Sequence, residues 1–164
     1  MGGDERPSFC FPAASCLGRV LGHDLRRAGF FGGKELALVA PAGSKLQDVS
    51  LADLVKLCKG TQKGWPDGKS FTLVIHDPES AEMRGTAQKL FGVAPDEIKA
   101  LVAKLNESRP VIKIVENDEE IMRAIASIPG AVGLVDVYAI NSSVKVLRID
   151  GKLPFDTGYT LKRN

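Results

Sequence analysis

The stretch from Glu35 to Asp77 constrains this chain most, because two short apolar runs flank one sharply punctuated helix. Leu36, Ala37, Leu38, Val39 and Ala40 run unbroken to Pro41. A short apolar run without alternation, stopped by Pro, suits a strand covered on both faces. Ser50 is placed to cap a helix in which Leu51, Leu54, Val55 and Leu57 share a face, with Asp53 in the first turn and Gly60 just past the end. Cap, dipole and stop signals therefore agree. A polar loop with the only Trp, Trp65, leads to Phe71-Thr72-Leu73-Val74-Ile75, a second buried strand. The result is a strand, helix, strand unit.

The same alternation continues. Ala81 to Phe91 reads as a helix ending at Gly92, and Pro95-Asp96-Glu97 opens another through Leu105. Val111 to Val115 reads as a strand. Asp118 is expected to cap a helix from Glu119 to Ile128 that stops at Gly130, and Ala131–Val135 and Val144–Ile149 complete the strands. Strands alternating with helices predict an α/β fold, a three-layer sandwich with a mainly parallel mixed sheet. Leu38, Leu54, Leu73, Ile75, Ile112, Ile114, Ile125 and Val132 are its expected core.

These residues carry a resemblance. The order of strand, helix Leu51 to Leu57, Gly60, Trp65 and second strand is similar to the phosphate-binding-protein-like branch of the type 2 periplasmic solute-binding proteins. Three later segments resemble it too: Ile128-Pro129-Gly130-Ala131-Val132-Gly133-Leu134-Val135, Val144 to Gly151 followed by Pro154, and Gly158-Tyr159-Thr160-Leu161. The match runs from Lys34 to about Arg163. It implies a type 2 periplasmic-binding-protein-like lobe plus a returning C-terminal segment. The first lobe of such a protein, with half of its ligand contacts, has no counterpart in residues 1–33. The resemblance further implies a periplasmic or extracytoplasmic location.

The chain divides near Gly32-Gly33. Residues 1–33 mix Pro, Gly, Arg and Cys with a weak apolar pattern from Leu17 to Leu25, which predicts a poorly ordered N-terminal arm before an α/β domain over 34–164. A chain beginning at Gly33 is then expected to melt within a few degrees of the full-length one; a large loss of stability would make the arm part of the core. Arg19, Arg26 and Arg27 could line a basic amphipathic helix, but so short a helix is marginal alone. The arm does not read as a signal peptide, because no apolar block of about 7 to 15 residues follows Asp4, Glu5, Arg6 and Pro7.

Composition narrows function mainly by exclusion. A formal charge of +2 over 164 residues, with basic and acidic residues mostly alternating, argues against nucleic acid. No run approaches the roughly 18 apolar residues of a membrane span. Cys10, Cys16 and Cys58 cannot all pair, and Cys10, Cys16 and His23 match no zinc spacing, so no metal and no cofactor is expected. Cys58 is expected in or beside the core.

Chemistry concentrates between Ile75 and Thr86. In open α/β sheets ligands sit outside the carboxyl ends of strands, where a following helix offers free N–H groups to an anion. His76, Ser80, Arg84, Gly85 and Thr86 are the candidate ligand-binding residues. The resemblance implies an Arg at the strand end and Ser-Gly-Thr at the helix start. This chain has His76 at the first position, Ser80-Ala81 at the second, and Gly85-Thr86 displaced beyond Glu82 and Met83. Asp77, Glu79 and Glu82 crowd the loop with negative charge. The alternative reading makes Ser80 a helix cap, pairs Arg84 with a carboxylate, and leaves His76 as a satisfied strand-end histidine.

No catalytic constellation is present: Ser80 lacks a G-x-S-x-G elbow, and His76 and Asp77 are adjacent, so an extended strand points their side chains apart. A non-enzyme is expected, in one of two classes. The first is a solute-binding protein taking a small phosphate-like oxyanion for ABC-type uptake, with a transporter or a second lobe as partner. The second is an interaction or sensory domain that docks a protein through a face around Trp65, Tyr138 and Tyr159.

Overall fold

The apolar run after Glu35 forms strand β1 (Leu36–Pro41), whose residues Leu36 to Ala40 are all buried. Alternation distributes them to two cores: Leu36, Leu38 and Ala40 enter one cluster, and Ala37 and Val39 the other. A computed structural model describes residues 35–161. The expectations for the N-terminal arm, with Cys10, Cys16, His23 and its arginines, lie outside the described residues.

After β1 come a short strand β2 (Asp48–Val49), helix α1 (Leu51–Cys58), strand β3 (Thr72–Ile75), helices α2 (Arg84–Phe91) and α3 (Pro95–Asn106), and strand β4 (Ile112–Ile114). Helix α4 (Asp118–Ser127) and strands β5 (Ala131–Asp136), β6 (Val144–Val146) and β7 (Arg148–Ile149) complete the order. The main sheet runs β4-β3-β5-β1-β6, and β2 pairs with β7 in a separate parallel ribbon. Leucines of α1 and α2 and Ile98 of α3 pack with Leu73, Ile75, Val132 and Leu134 on one face. On the other, Ile121 and Ile125 of α4 join Val74 and Val135. Helices on both faces make the three-layer sandwich expected from the alternation.

Gly133 permits the second packing. A Cβ there would lie 2.4 Å from Ile121 Cγ2 and 2.6 Å from Ile125 Cδ1, so α4 approaches β5 through space a side chain would fill.

The sheet is mixed in one informative respect. β3 pairs parallel with β4 and β5, whereas β1 pairs antiparallel with β5 and β6. β5 therefore separates β1 from β3, which run in opposite directions, and the first strand, helix, strand segment is not a parallel crossover. Apolar content specifies burial but carries no direction; β1 takes its orientation from strands that follow it by more than ninety residues.

Other boundaries move for local reasons. Ser50 occupies the cap of α1, but its side chain makes no capping bond; the Leu51 N–H donates to Asp150 Oδ1 at 3.2 Å. Asn117 rather than Asp118 caps α4, accepting from the Glu120 N–H at 2.9 Å. Helix α2 begins at Arg84 instead of Ala81, because Ser80 anchors a turn before it. The single strand expected over 144–149 breaks at Leu147, which donates to the Leu38 carbonyl at 2.8 Å while Arg148 crosses to the Gln47 carbonyl at 3.0 Å. Ile114 leaves the expected core: β4 is an edge strand, and Ile114 is 40% exposed.

Cys58 is fully buried, and burial pushes its thiol up from 9.0 to about 12. The unfolded chain releases this proton first, so the stabilisation is fully present below about pH 9 and is lost as pH rises toward about 12. Burial raises the Tyr159 hydroxyl as well, which adds to the same alkaline loss. Urea melts from about pH 8 upward should show a falling midpoint, and Cys58→Ala should flatten that slope; an unchanged slope would show that the thiol is not the titrating group.

Candidate functional site

The parallel register that sets Ile75 beside Ile114 brings the carboxyl ends of β3 and β4 together. The Val115 N–H continues the pairing to the Ile75 carbonyl at 2.9 Å. Beyond these ends lies an open cleft of about 660 Å³, walled by His76, Asp77, Ser80 and Glu82 from the first loop and by Glu116, Asn117 and Asp118 from the second.

His76, half-buried, holds its Nε2 2.8 Å from Asp118 Oδ1. Asp118 opens α4, where a carboxylate also suits the positive end of the helix dipole. His76 is thus a strand-end histidine with a partner, and that carboxylate orients the ring.

The loop itself is knitted by short-range bonds. Asp77 Oδ1 accepts from the Glu79 N–H at 3.0 Å, and Ser80 Oγ from the Met83 N–H at 3.3 Å. The Ser80 carbonyl accepts from the N–H groups of Met83 at 3.1 Å and Arg84 at 2.9 Å. Arg84 Nη2 donates to the Glu79 carbonyl at 3.2 Å. Lys99 reaches from α3 to Glu79 at 2.8 Å and Asp77 at 3.5 Å. Its hydrogen bond to Glu79, reinforced by the charges of both carboxylates, holds the exposed ammonium above its ordinary range despite some opposing desolvation.

His76 and Ser80 therefore stand on the cleft wall, whereas Arg84, Gly85 and Thr86 occupy the first turn of α2, off that wall. Gly85 is exposed there. Thr86 is 1% exposed, with an Oγ1 that has no hydrogen-bond partner. The second loop was not legible as part of the site. Asp118 reads locally as a helix-start acid, and only the pairing of β3 with β4 makes it a neighbour of His76. Among the described residues, no group of three or more His, Cys, Asp or Glu is arranged to hold a metal ion. No helix among them is long and apolar enough to cross a membrane.

The docking face expected around Trp65, Tyr138 and Tyr159 does not exist as one surface. Trp65 and Tyr159 are 5% and 3% exposed, and Tyr138 is 81% exposed. Trp65 Nε1 donates to the Gly130 carbonyl, and the Tyr159 hydroxyl to the Leu36 carbonyl. Both aromatics are anchors, since a buried Trp or Tyr stays put where its polar tip finds an acceptor.

No protein-family profile matches the chain, and no curated protein matches it. Solved structures do. An ABC-type phosphate transport receptor from Vibrio cholerae superposes with a TM-score of 0.57 at 18% identity, over 73% of this chain and 48% of the receptor. PstS from Borrelia burgdorferi gives 0.57 at 16% identity, over 79% of this chain and 55% of that one. A phosphate binding protein from Stenotrophomonas maltophilia gives 0.52 at 17% identity, over 74% and 40%. The chain thus has the fold of a phosphate-binding periplasmic receptor lobe, and it spans about half the length of the structures it resembles.

Proposed function

We propose that this chain is a non-catalytic solute-binding lobe that takes a small phosphate-like oxyanion at the carboxyl ends of β3 and β4, in an extracytoplasmic compartment, for ABC-type uptake. The observation that carries this reading is the open cleft at the ends of two parallel strands, where ligands of open α/β folds bind, in a fold shared with phosphate receptors. Ser80 supplies a hydroxyl from the wall and His76 a ring whose Nε2 is engaged by Asp118; Arg84, Gly85 and Thr86 stand at the adjacent helix start. Asp77, Glu82, Glu116 and Asp118 oppose a fully ionised dianion but accept a hydrogen bond from a protonated one. The ligand is therefore an oxyanion that retains a proton, as phosphate does near neutral pH and sulfate does not.

One open wall leaves such a ligand half solvated, so a second lobe or a transporter completes the site, and binding by this chain alone is no tighter than about millimolar. Calorimetric titration should show phosphate preferred over sulfate, with Ser80→Ala on the wall weakening phosphate by about ten-fold or more and Arg84→Ala, off the wall, weakening it less. Equal affinity for sulfate would remove the role given to the carboxylates.

The same carboxylates, with the loop N–H groups already engaged, favour a second reading, an interaction domain that keeps the fold without the ligand. Absence of heat with every oxyanion, with or without a candidate partner chain, would leave that reading in place of the first.

A further inference from the structure

The opposite end of the β3–β4 pair carries the reverse charge. The segment after α1 leads into β3, and the segment after α3 leads into β4, where the Leu73 N–H donates to the Val111 carbonyl at 2.8 Å. Between these entries lies a cleft of about 620 Å³ lined by Lys59, Lys63, Lys104 and Arg109. Its other walls are Gly60, Leu101, Leu105, Ser108 and Val111, and no Asp or Glu lines it.

Three properties distinguish it from an ordinary solvated face. Lys59, Lys63 and Lys104 make no ion pair or side-chain hydrogen bond among the described residues; Lys45, Lys69 and Lys113 are unpaired too, but here three such lysines line one cleft beside Arg109. Four cations lining one cleft without a carboxylate add their positive potentials there and attract an anion. Arg109 is held in place as a strut: its guanidinium donates to the Lys63 carbonyl, and Nη2 to the Gln62 carbonyl at 3.5 Å. Finally, half-buried Leu101 and Leu105 and buried Val111 supply apolar surface between the charges. Leu105 is seated against Gly60, where a Cβ would come within 2.7 Å of its Cδ2.

We infer that the basic cleft at the amino ends of β3 and β4 is a binding site for a small organic polyanion of the nucleoside diphosphate class, with its phosphates among Lys59, Lys63, Lys104 and Arg109 and its ring body on Leu101 and Leu105. A lone oxyanion fills little of a cleft this size, which lies within the roughly 300 to 1,000 Å³ typical of small-molecule sites. It also leaves most of the charge unanswered. A diphosphate meets the charge, and a flat ring uses the leucine surface a bare polyphosphate would leave wet. This site is independent of the acidic cleft at the carboxyl ends and shares no wall residue with it.

The test is calorimetric titration of the full chain at low salt with ADP, pyrophosphate and inorganic phosphate as probes. ADP should bind most tightly and phosphate least. Lys63→Glu and Lys104→Glu should each weaken ADP by about ten-fold or more, since each turns an attraction into a repulsion. Lys113→Glu, an equal charge change at an exposed position on β4, should leave ADP affinity within about two-fold. All three positions are exposed, and thermal melts should confirm that each variant folds as the parent does. Absence of ADP binding, a Lys113→Glu loss equal to that of Lys104→Glu, or pyrophosphate binding as tightly as ADP would each overturn the assignment.

Discussion

Trp65→Ala is expected to lower the unfolding free energy by about 3 to 5 kcal/mol, a drop of roughly 10 to 20 °C in melting temperature for a domain of this size. The side chain is 5% exposed, and its ring meets Phe71 edge to face with centroids 5.3 Å apart and planes at 76°. Removing it opens a cavity beside Phe71 and leaves the Gly130 carbonyl, which accepts from Nε1 at 2.9 Å, without that partner. The loop around it is otherwise held by the Trp65 N–H to the Lys69 carbonyl and the Gly68 N–H to the Trp65 carbonyl, each at 2.9 Å. These local turn bonds survive the substitution but do not tie the loop to the sheet. Trp65→Phe should recover much of the loss by refilling the space, but not the bond to Gly130. Denaturant melts measure all of this, and a loss below about 1 kcal/mol for Trp65→Ala would mean that the loop refills the cavity from its own residues.

Gly130→Ala is the second large effect, and it strikes the other half of the same clasp. Gly130 sits at φ +78, and a Cβ built on it would lie 2.2 Å from the Ser70 carbonyl oxygen. The left-handed conformation alone costs an L-residue about 1 to 2 kcal/mol. The obstructing atom belongs to the backbone just ahead of Phe71, so it cannot swing away as a side chain would. Together these should cost about 3 kcal/mol or more. Gly130→Asn separates the two causes, because Asn tolerates positive φ but carries the same Cβ. It should stay nearly as destabilised as the Ala variant, and near-parental stability would assign the whole effect to backbone conformation. Because Trp65 bonds to Gly130, the double variant should lose less than the sum of the single losses.

The acidic and basic clefts at the two ends of the β3–β4 pair show where local reading of the chain runs out. His76 and Asp118 stand 42 positions apart, and the cations of the basic cleft are spread from Lys59 to Arg109. Nothing within a few residues of His76 announces that its partner opens another helix. An anion site read from the loop after Ile75 rests on donors counted in sequence. The folded loop spends several of those donors on its own turns, as with the Met83 and Arg84 N–H groups on Ser80 and the Arg84 side chain on the Glu79 carbonyl.

What the amino-acid sequence determined by itself is the set of buried segments and most of their ends. Unbroken apolar runs made β1 and β3, the stripe through Ile121 and Ile125 made α4, and Gly60, Gly92 and Gly130 stand where helices stop, because these signals act over a turn or a strand length. Only the tertiary structure decided the direction of β1, the exposure of Ile114 at a sheet edge, the break at Leu147 and the sorting of charge to opposite ends of the strands. Strand order and register are set by pairing between segments far apart in the chain, and electrostatic neighbours follow from that pairing rather than from spacing along the sequence.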